Sequence, residues 1–343
     1  MTAIPTATPT PASAASASTP GARYGGPRLQ PEHYEPAHVP IEVARFGGDP
    51  HTLPVGSPGK VGILELSFQL RGADGEQRTE LVHHYQKSPL QIIKPLYYNP
   101  LRPDMPYTYL LTTGGGVLHN DRQRTDLTFG RGTSAHVTTQ AHTKVYRMES
   151  GYATALMNLD ITEDAYVEYL PDPVIPYVDS RFYQRVAVSL HEDATLVTGE
   201  TIYAGRLTRG EHNAYAAFAS DFEVRRPDGE PVAFDRARLV PRNGHVGGLA
   251  VLGGRDVVSS LYVLTHRVSA ATVAESLHEA ASGALADSDD DAALFGVSVL
   301  PGDTGAWLRY VGDDTVTATG VRTAVAAAAH ELITGAAAPL IRK

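Results

Sequence analysis

Regular alternation of apolar and polar residues begins just after Lys60. Gly62, Leu64, Leu66, Phe68 and Leu70 alternate with Ile63, Glu65, Ser67 and Gln69, a period of two that predicts a half-buried strand. Asp74-Gly75 supplies turn chemistry, and 79–85 is expected to return as a second strand. Prolines 89, 95, 100, 103 and 106 punctuate the next stretch, before a strand-like 107–111 that runs into Gly114-Gly115-Gly116. Short apolar runs between turns then predict strands over 126–129, 134–139, 152–159, 165–170, 183–190 and 194–203. Further strands are expected over 215–225, 248–252, 257–265, 295–300 and 306–311. Thr272-Val-Ala-Glu275 has capping-box spacing and opens a helix with Val273, Leu277 and Ala281 on one face. A second helix is expected over 321–333. The chain therefore reads as mainly β, a sandwich, barrel or solenoid of many short strands, with two α-helices in its C-terminal third. Glu163-Asp164-Ala165 recurs as Glu192-Asp193-Ala194, each time just before a strand. The recurrence suits the stacked coils of a β-solenoid, but two unrelated acidic turns explain it more simply.

Composition changes the picture at the N-terminus. Residues 1–23 are a Pro/Ala/Ser/Thr mixture that cannot bury a core, and Pro and Gly remain frequent to about Lys60. Residues 1–59 are thus expected to be a largely disordered extension, within which Ile41, Val43 and Phe46 offer local docking, and 60–343 a single β domain. The extension lacks the early basic residue and Leu/Val-rich core of a signal peptide. The absence of cysteine removes disulfides, thiolate metal cages and Cys nucleophiles together, and is compatible with the cytoplasm. No apolar run approaches the roughly 18 residues of a membrane-spanning helix. A formal net charge of −9 argues against nucleic acid as the partner and suits cations or basic protein surfaces.

Several chemistries are missing. The sequence contains no GxxxxGK[ST] phosphate loop, no GxSxG elbow and no HExxH helix. Its 14 histidines are scattered. Adjacent His83 and His84 would point to opposite faces of a strand, and His119 and His142 lack ligand spacing. No tight metal site is predicted.

Four segments stand out: Tyr109-Leu-Leu-Thr-Thr-Gly-Gly-Gly-Val-Leu-His-Asn-Asp121; Gln140-Ala-His-Thr-Lys-Val-Tyr-Arg147; Glu168-Tyr-Leu-Pro-Asp-Pro-Val-Ile-Pro176, followed by Ser180-Arg-Phe-Tyr; and Glu200-Thr-Ile-Tyr-Ala-Gly-Arg206-Leu, with Phe234-Asp235-Arg236 downstream. In order and spacing they resemble the UreD (UreH) family of urease accessory proteins. Gly296-Val297-Ser298 and Leu308-Arg309-Tyr310 resemble its C-terminal strand pair, and Pro339-Leu-Ile-Arg342 its ending. The resemblance covers 60–343. His119-Asn120-Asp121 departs from it, standing where the family has Gly-Asp, although Asn tolerates left-handed backbone well enough for such a turn.

The resemblance implies a β-helix-like body with two helices and no catalytic activity of its own. The implied role is a urease maturation scaffold that binds UreF, the GTPase UreG and the urease apoprotein, in a heteromeric complex with two copies of the chain. It also implies transient Ni2+ passing through a polar internal tunnel. Tunnel positions carry over to Asp121, Thr143, Glu200 and Asp235, with Lys144, Tyr146, Arg147 and Arg206 as supporting signature. In a strand, Thr143 and Arg147 share one face and Lys144 and Tyr146 the other, so these cannot all line one channel. Carboxylate and water hold nickel more loosely than imidazole or thiolate, which suits transit. Asp121→Ala and Glu200→Ala are then expected to impair urease activation without blocking assembly. The plainer reading has Asp121 capping a turn, Thr143 satisfying a strand and Arg206 pairing with Glu200. The competing function is a β-helical carbohydrate-active enzyme with Asp121 and Glu200 as acid and base, a role that the single tryptophan, Trp307, makes less attractive for sugar stacking.

Overall fold

From Arg122 to Arg225 the chain turns a corner after each strand and climbs one layer with each coil. The computed structural model describes residues 28–47 and 59–343, except Asp74, His245, Ala250, Asp289 and Arg342. Two single-turn helices come first, α1 (Pro31–Tyr34) and α2 (Ile41–Ala44). Strands β1 (Val61–Arg71) and β2 (Arg78–Lys87) pair antiparallel, and β3 (Leu90–Gln91) and β4 (Tyr107–Thr112) follow. The next coil is β5 (Arg122–Phe129), β6 (Ser134–Thr139) and β7 (Thr143–Val145). The coil after it is β8 (Ala153–Ile161), β9 (Tyr166–Tyr169) and β10 (Val174–Pro176), and above that lie β11 (Arg181–Leu190) and β12 (Thr195–Tyr203). The chain continues through β13 (Ala217–Arg225), β14 (Pro231–Leu239), β15 (Val257–Leu264), α3 (Ala270–Ala286), β16 (Leu294–Val299), β17 (Gly305–Gly312) and α4 (Thr315–Thr334).

Equivalent strands of successive coils stack in parallel. Arg122 lies beside Thr154, Ala153 beside Phe182 and Arg181 beside Ala217 on one face; Ser134 beside Tyr166 and Tyr166 beside Thr195 on the second; and Thr143 beside Val174 on the short third. This is a β-solenoid flattened into two facing sheets, ordered β14-β13-β11-β8-β5-β1-β2 and β16-β17-β15-β12-β9-β6-β4-β3. The recurring Glu-Asp-Ala segments occupy the same corner of consecutive coils. The Thr195 amide donates to the Ala165 carbonyl at 2.8 Å, as the Tyr166 amide donates to Thr133 one coil below. The repeat is therefore architectural, and the simpler reading as unrelated turns is corrected.

Three apolar clusters hold the layers together. Leu66, Phe68, Leu127, Phe129, Leu159, Ile161, Leu190 and Leu196 fill one end of the inter-sheet space, and Val145, Phe182, Ile202, Phe218 and Leu239 the other. On the outside of the second sheet, Val273, Leu277 and Ala281 of α3 and Val321, Val325 and Ala329 of α4 cover Leu261, Val263 and Leu308. Ser269 caps α3, accepting from the Thr272 amide, one turn before the expected box. Asp314 caps α4, and Gly335 ends it in left-handed backbone.

Three expectations need correction. β1 is buried on both faces from Val61 to Phe68, not half-buried. Its outer face is covered by the N-terminal segment: Tyr34 packs on Val61 and Ile63, and Arg28 Nε donates to buried Glu65 at 2.9 Å. Val43 likewise docks fully buried against Tyr183, Ala217 and Val240, with Phe46 beside it, while Ile41 is exposed. In place of the expected strand over 248–252, Leu249, Val251 and Leu252 lie in turns, the Val251 and Gly253 amides both donating to Gly248 O. β14, whose alternation is hidden by arginines on its outer face, was not anticipated. Residues 1–27 and 48–58, and Asp74 of the expected turn, lie outside the described residues.

Candidate functional site

Midway along three neighbouring strands the inward-facing residues change from apolar to polar. On β11 the inward series runs Phe182, Gln184, Val186, Val188; on β13, Phe218, Ser220, Phe222, Val224; on β12, Leu196, Thr198, Glu200, Ile202. The apolar members belong to the end clusters or pack against them. The polar members meet between the sheets. Ser220 Oγ donates to Glu200 Oε1 at 2.5 Å, and Gln184 Nε2 donates to the same oxygen. Burial pushes the Glu200 carboxyl up; those two donors oppose the shift and the nearby Asp235 charge adds to it.

Two cavities open on either side of this layer. One, of about 240 Å³, is lined by Glu200, Ser220, Asp235, Ser260, Tyr262 and Arg309 among others. The other, of about 300 Å³, reaches from Glu200 past Gln123, Thr125 and Tyr169 to Gly116, His142, Thr143 and Lys144. Both are bordered by Val186, Gly199 and Glu200. Glu200 thus stands at their junction, with Asp235 on one side and Thr143 on the other. At the first cavity's mouth, Asp235 Oδ2 accepts from Tyr262 Oη at 2.7 Å and from Arg309 Nη2, and Arg309 Nε donates to Ser260 Oγ at 3.2 Å. At the second, the His142 ring lies 5.8 Å from the Tyr203 ring, and desolvation lowers its pKa, leaving the imidazole neutral near pH 7.

The remaining positions lie elsewhere. Asp121 is buried and lines neither cavity. Its Oδ1 accepts from the Lys60 amide and its Oδ2 from the Leu118 amide, both at 2.9 Å. Its carboxylate closes the turn in which Asn120 adopts φ 61°, the left-handed geometry expected of that residue. Tyr146 Oη donates to Gly115 O at 3.2 Å and the ring lies on Tyr177. Arg147 is exposed, 3.7 Å from Asp179. Arg206 pairs with Glu211, Nε to Oε2 at 2.9 Å, and stacks over Tyr177; its expected pairing with Glu200 is corrected, since Arg206 lies beyond the end of β12. Of the signature residues, Lys144 alone borders a cavity, beside Thr143.

Gly116 belongs to that second wall. A Cβ there would stand 2.6 Å from Lys144 O and 3.0 Å from the Tyr146 ring. We therefore expect Gly116→Ala to push the Val117–Val145 bridge apart and to destabilise the chain by roughly 1–3 kcal/mol. A urea melt with an unchanged midpoint would refute this.

Sequence reasoning missed Gln184, Ser220, Ser260, Tyr262 and Arg309 at the junction. It also missed a buried cluster outside it, under α4. Glu168 of β9 joins His136 Nδ1 through Oε2 and His330 Nδ1 through Oε1, both at 2.6 Å, and Tyr166 Oη donates to Oε1. Burial would raise the Glu168 carboxyl, but the two imidazoles outweigh it and hold it well below the usual range. His33, Glu65 and Asp126 also bring ligand atoms within 4.8 Å of one another; Arg28 already grips Glu65 and Arg124 grips Asp126.

The oxygen-rich donor set at the junction fits a divalent cation held loosely. The family model for the UreD urease accessory protein matches residues 60–343. Urease accessory protein UreD 2 of Streptomyces griseus is 48% identical over 303 residues, 88% of this chain and 100% of that protein. UreD 3 of Methylorubrum populi is 35% identical, covering 80% of this chain and 86% of its own length, and UreD of Cenarchaeum symbiosum 34% identical, covering 85% and 99%.

Proposed function

Because the chain belongs to the UreD urease accessory protein family, with a role in urease maturation, we propose that it passes Ni2+ to the urease apoprotein through the polar layer between its two sheets. The observation that carries this reading is the meeting of two cavities at Glu200. A conduit needs sites that a dication enters and also leaves, so carboxylates and hydroxyls separated along a path serve better than one tight cage. Glu200 and Asp235 supply charge, Ser220, Ser260 and Thr143 supply neutral oxygen, and His142 offers a single neutral nitrogen at the far mouth. The ion is cargo, and the scaffold is not an enzyme.

In this reading UreF and the GTPase UreG bring the ion to one mouth and the apoprotein receives it at the other. The assembly is heteromeric, with two copies of this chain, and works in the cytoplasm. No described helix is long and apolar enough to cross a membrane. The competing acid–base enzyme is disfavoured because the Asp121 carboxylate is occupied by backbone amides and lines neither cavity.

The test is co-expression of the urease structural subunits and the other accessory proteins with and without this chain, reading nickel per active site and urease activity. Both should collapse when the chain is omitted. Equal nickel loading would end the proposal.

A further inference from the structure

Arg309 is a cation standing in the path proposed for another cation. It lies on β17 in the cross-strand row Glu200–Ser260–Arg309, so its side chain enters the same inter-sheet space as Glu200. Three partners fix the guanidinium: Asp235 Oδ2, Ser260 Oγ at 3.2 Å, and the face of Trp307, 5.0 Å away. Trp307 in turn stacks on Tyr262, and Tyr262 lies against Phe222. Arg309 and Asp235 are partly exposed, at 42% and 31% of their side chains, while desolvation at Glu200 is strong enough to push its carboxyl up. The ion pair therefore sits at the mouth, between solvent and the junction.

We infer that Arg309 is a charge-selective plug: it occupies Asp235 when no cargo is present and yields that carboxylate to a dication but not to K+ or Na+. The inference rests on the passage reading given above. A guanidinium stays charged at every pH the cell reaches. Its tether, with the bond to Ser260 and the contact with Trp307, holds it against Asp235 intramolecularly. A free monovalent ion carries the same charge without the tether, so it gains nothing by displacing the arginine. A divalent ion at the same distance gains about twice the Coulomb attraction. The vestibule thus stays free of the abundant monovalent salts, and the displaced guanidinium keeps its place over Trp307.

The experiment is equilibrium dialysis of Ni2+ against the full-length chain at low and at cell-like KCl, with thermal melts showing that each variant is folded. Arg309→Gln should bind Ni2+ about tenfold more tightly than the native chain at low KCl, and lose most of that gain at high KCl. The native chain should respond little to KCl, and Arg309→Lys, which keeps the charge, should follow it. Arg309→Met, which keeps packing on Trp307, replaces Arg309→Gln if that variant does not fold. The gain should vanish in the double variant Arg309→Gln/Asp235→Asn. Native-like binding by Arg309→Gln at both salt levels would overturn the plug, as would a salt response of Arg309→Lys matching that of Arg309→Gln, or a gain that survives loss of Asp235. Failure of the passage itself is read separately, as undiminished urease nickel loading with Glu200→Gln.

Discussion

Exchange of Glu200 for glutamine is expected to leave a folded chain that binds its partners and delivers little nickel. The amide carbonyl can still accept from Ser220 Oγ and Gln184 Nε2, the two donors that hold the carboxylate. Volume is unchanged, and a buried charge that burial disfavours is removed, so stability should hold or rise. The ion, however, loses the one carboxylate among the described residues that borders both cavities. At an effective dielectric near 20, a carboxylate about 4 Å from a cation contributes several kcal/mol per unit charge. Loading should therefore fall about tenfold or more. The measurement is nickel per active site in purified urease, normalised to the amount of this chain in the complex. Asp121→Ala provides the contrast. It strips an acceptor from the Lys60 and Leu118 amides, at roughly 1–3 kcal/mol, so any defect should track the amount of folded chain. Full loading by Glu200→Gln would remove the junction from the mechanism.

The largest loss of stability is expected at Glu168. Leucine there would leave His136 and His330 without the carboxylate that holds both Nδ1 atoms, and Tyr166 Oη without its acceptor. Breaking a buried charge network by removing one partner costs about 3–5 kcal/mol. The sign of the pH dependence follows from the shift. The folded carboxyl lies well below its ordinary value of 4.5, so its contribution is fully present above that pH and fades as pH falls further below it. The gap between native and Glu168→Leu unfolding midpoints in urea should be widest near neutrality and narrow in acid. A gap of the same size throughout would show that the carboxylate charge contributes nothing.

Legibility in the sequence depended on whether a contact is local. The strand over 134–139 and the helix face Val273–Leu277–Ala281 were readable because alternation and helical spacing are carried by neighbours in sequence. β7 and β10 were not, since a three-residue strand has no period to detect. β14 was missed because its outer face is lined by Arg236 and Arg238, which pair with Asp221 of the adjacent strand. The motif order led to Glu200, Asp235 and Thr143. It did not lead to Gln184, Ser220 or Arg309, which reach the junction only because strands distant in sequence stack in register. Asp121 shows the converse. A carboxylate beside a triple glycine resembles a site in sequence, yet one oxygen is spent on the Leu118 amide of its own turn and the other on the Lys60 amide, which the parallel pairing of β1 and β5 brings alongside.

The polar layer also has a consequence for how this chain would evolve in the laboratory. Along the inward faces Gln184 lies between Phe182 and Val186, Ser220 between Phe218 and Phe222, and Glu200 between Thr198 and Ile202. A core of this kind gains cohesion when such a layer is replaced by matched apolar side chains. A library selected only for heat resistance, with no demand for active urease, should drift toward Leu, Val or Met at these three positions and close the space between the cavities. A library selected for both should spare Glu200 and gather its stabilising changes at the sandwich ends and beneath α3 and α4. The two sequence spectra, read side by side, would map the conduit without a metal ion in the assay.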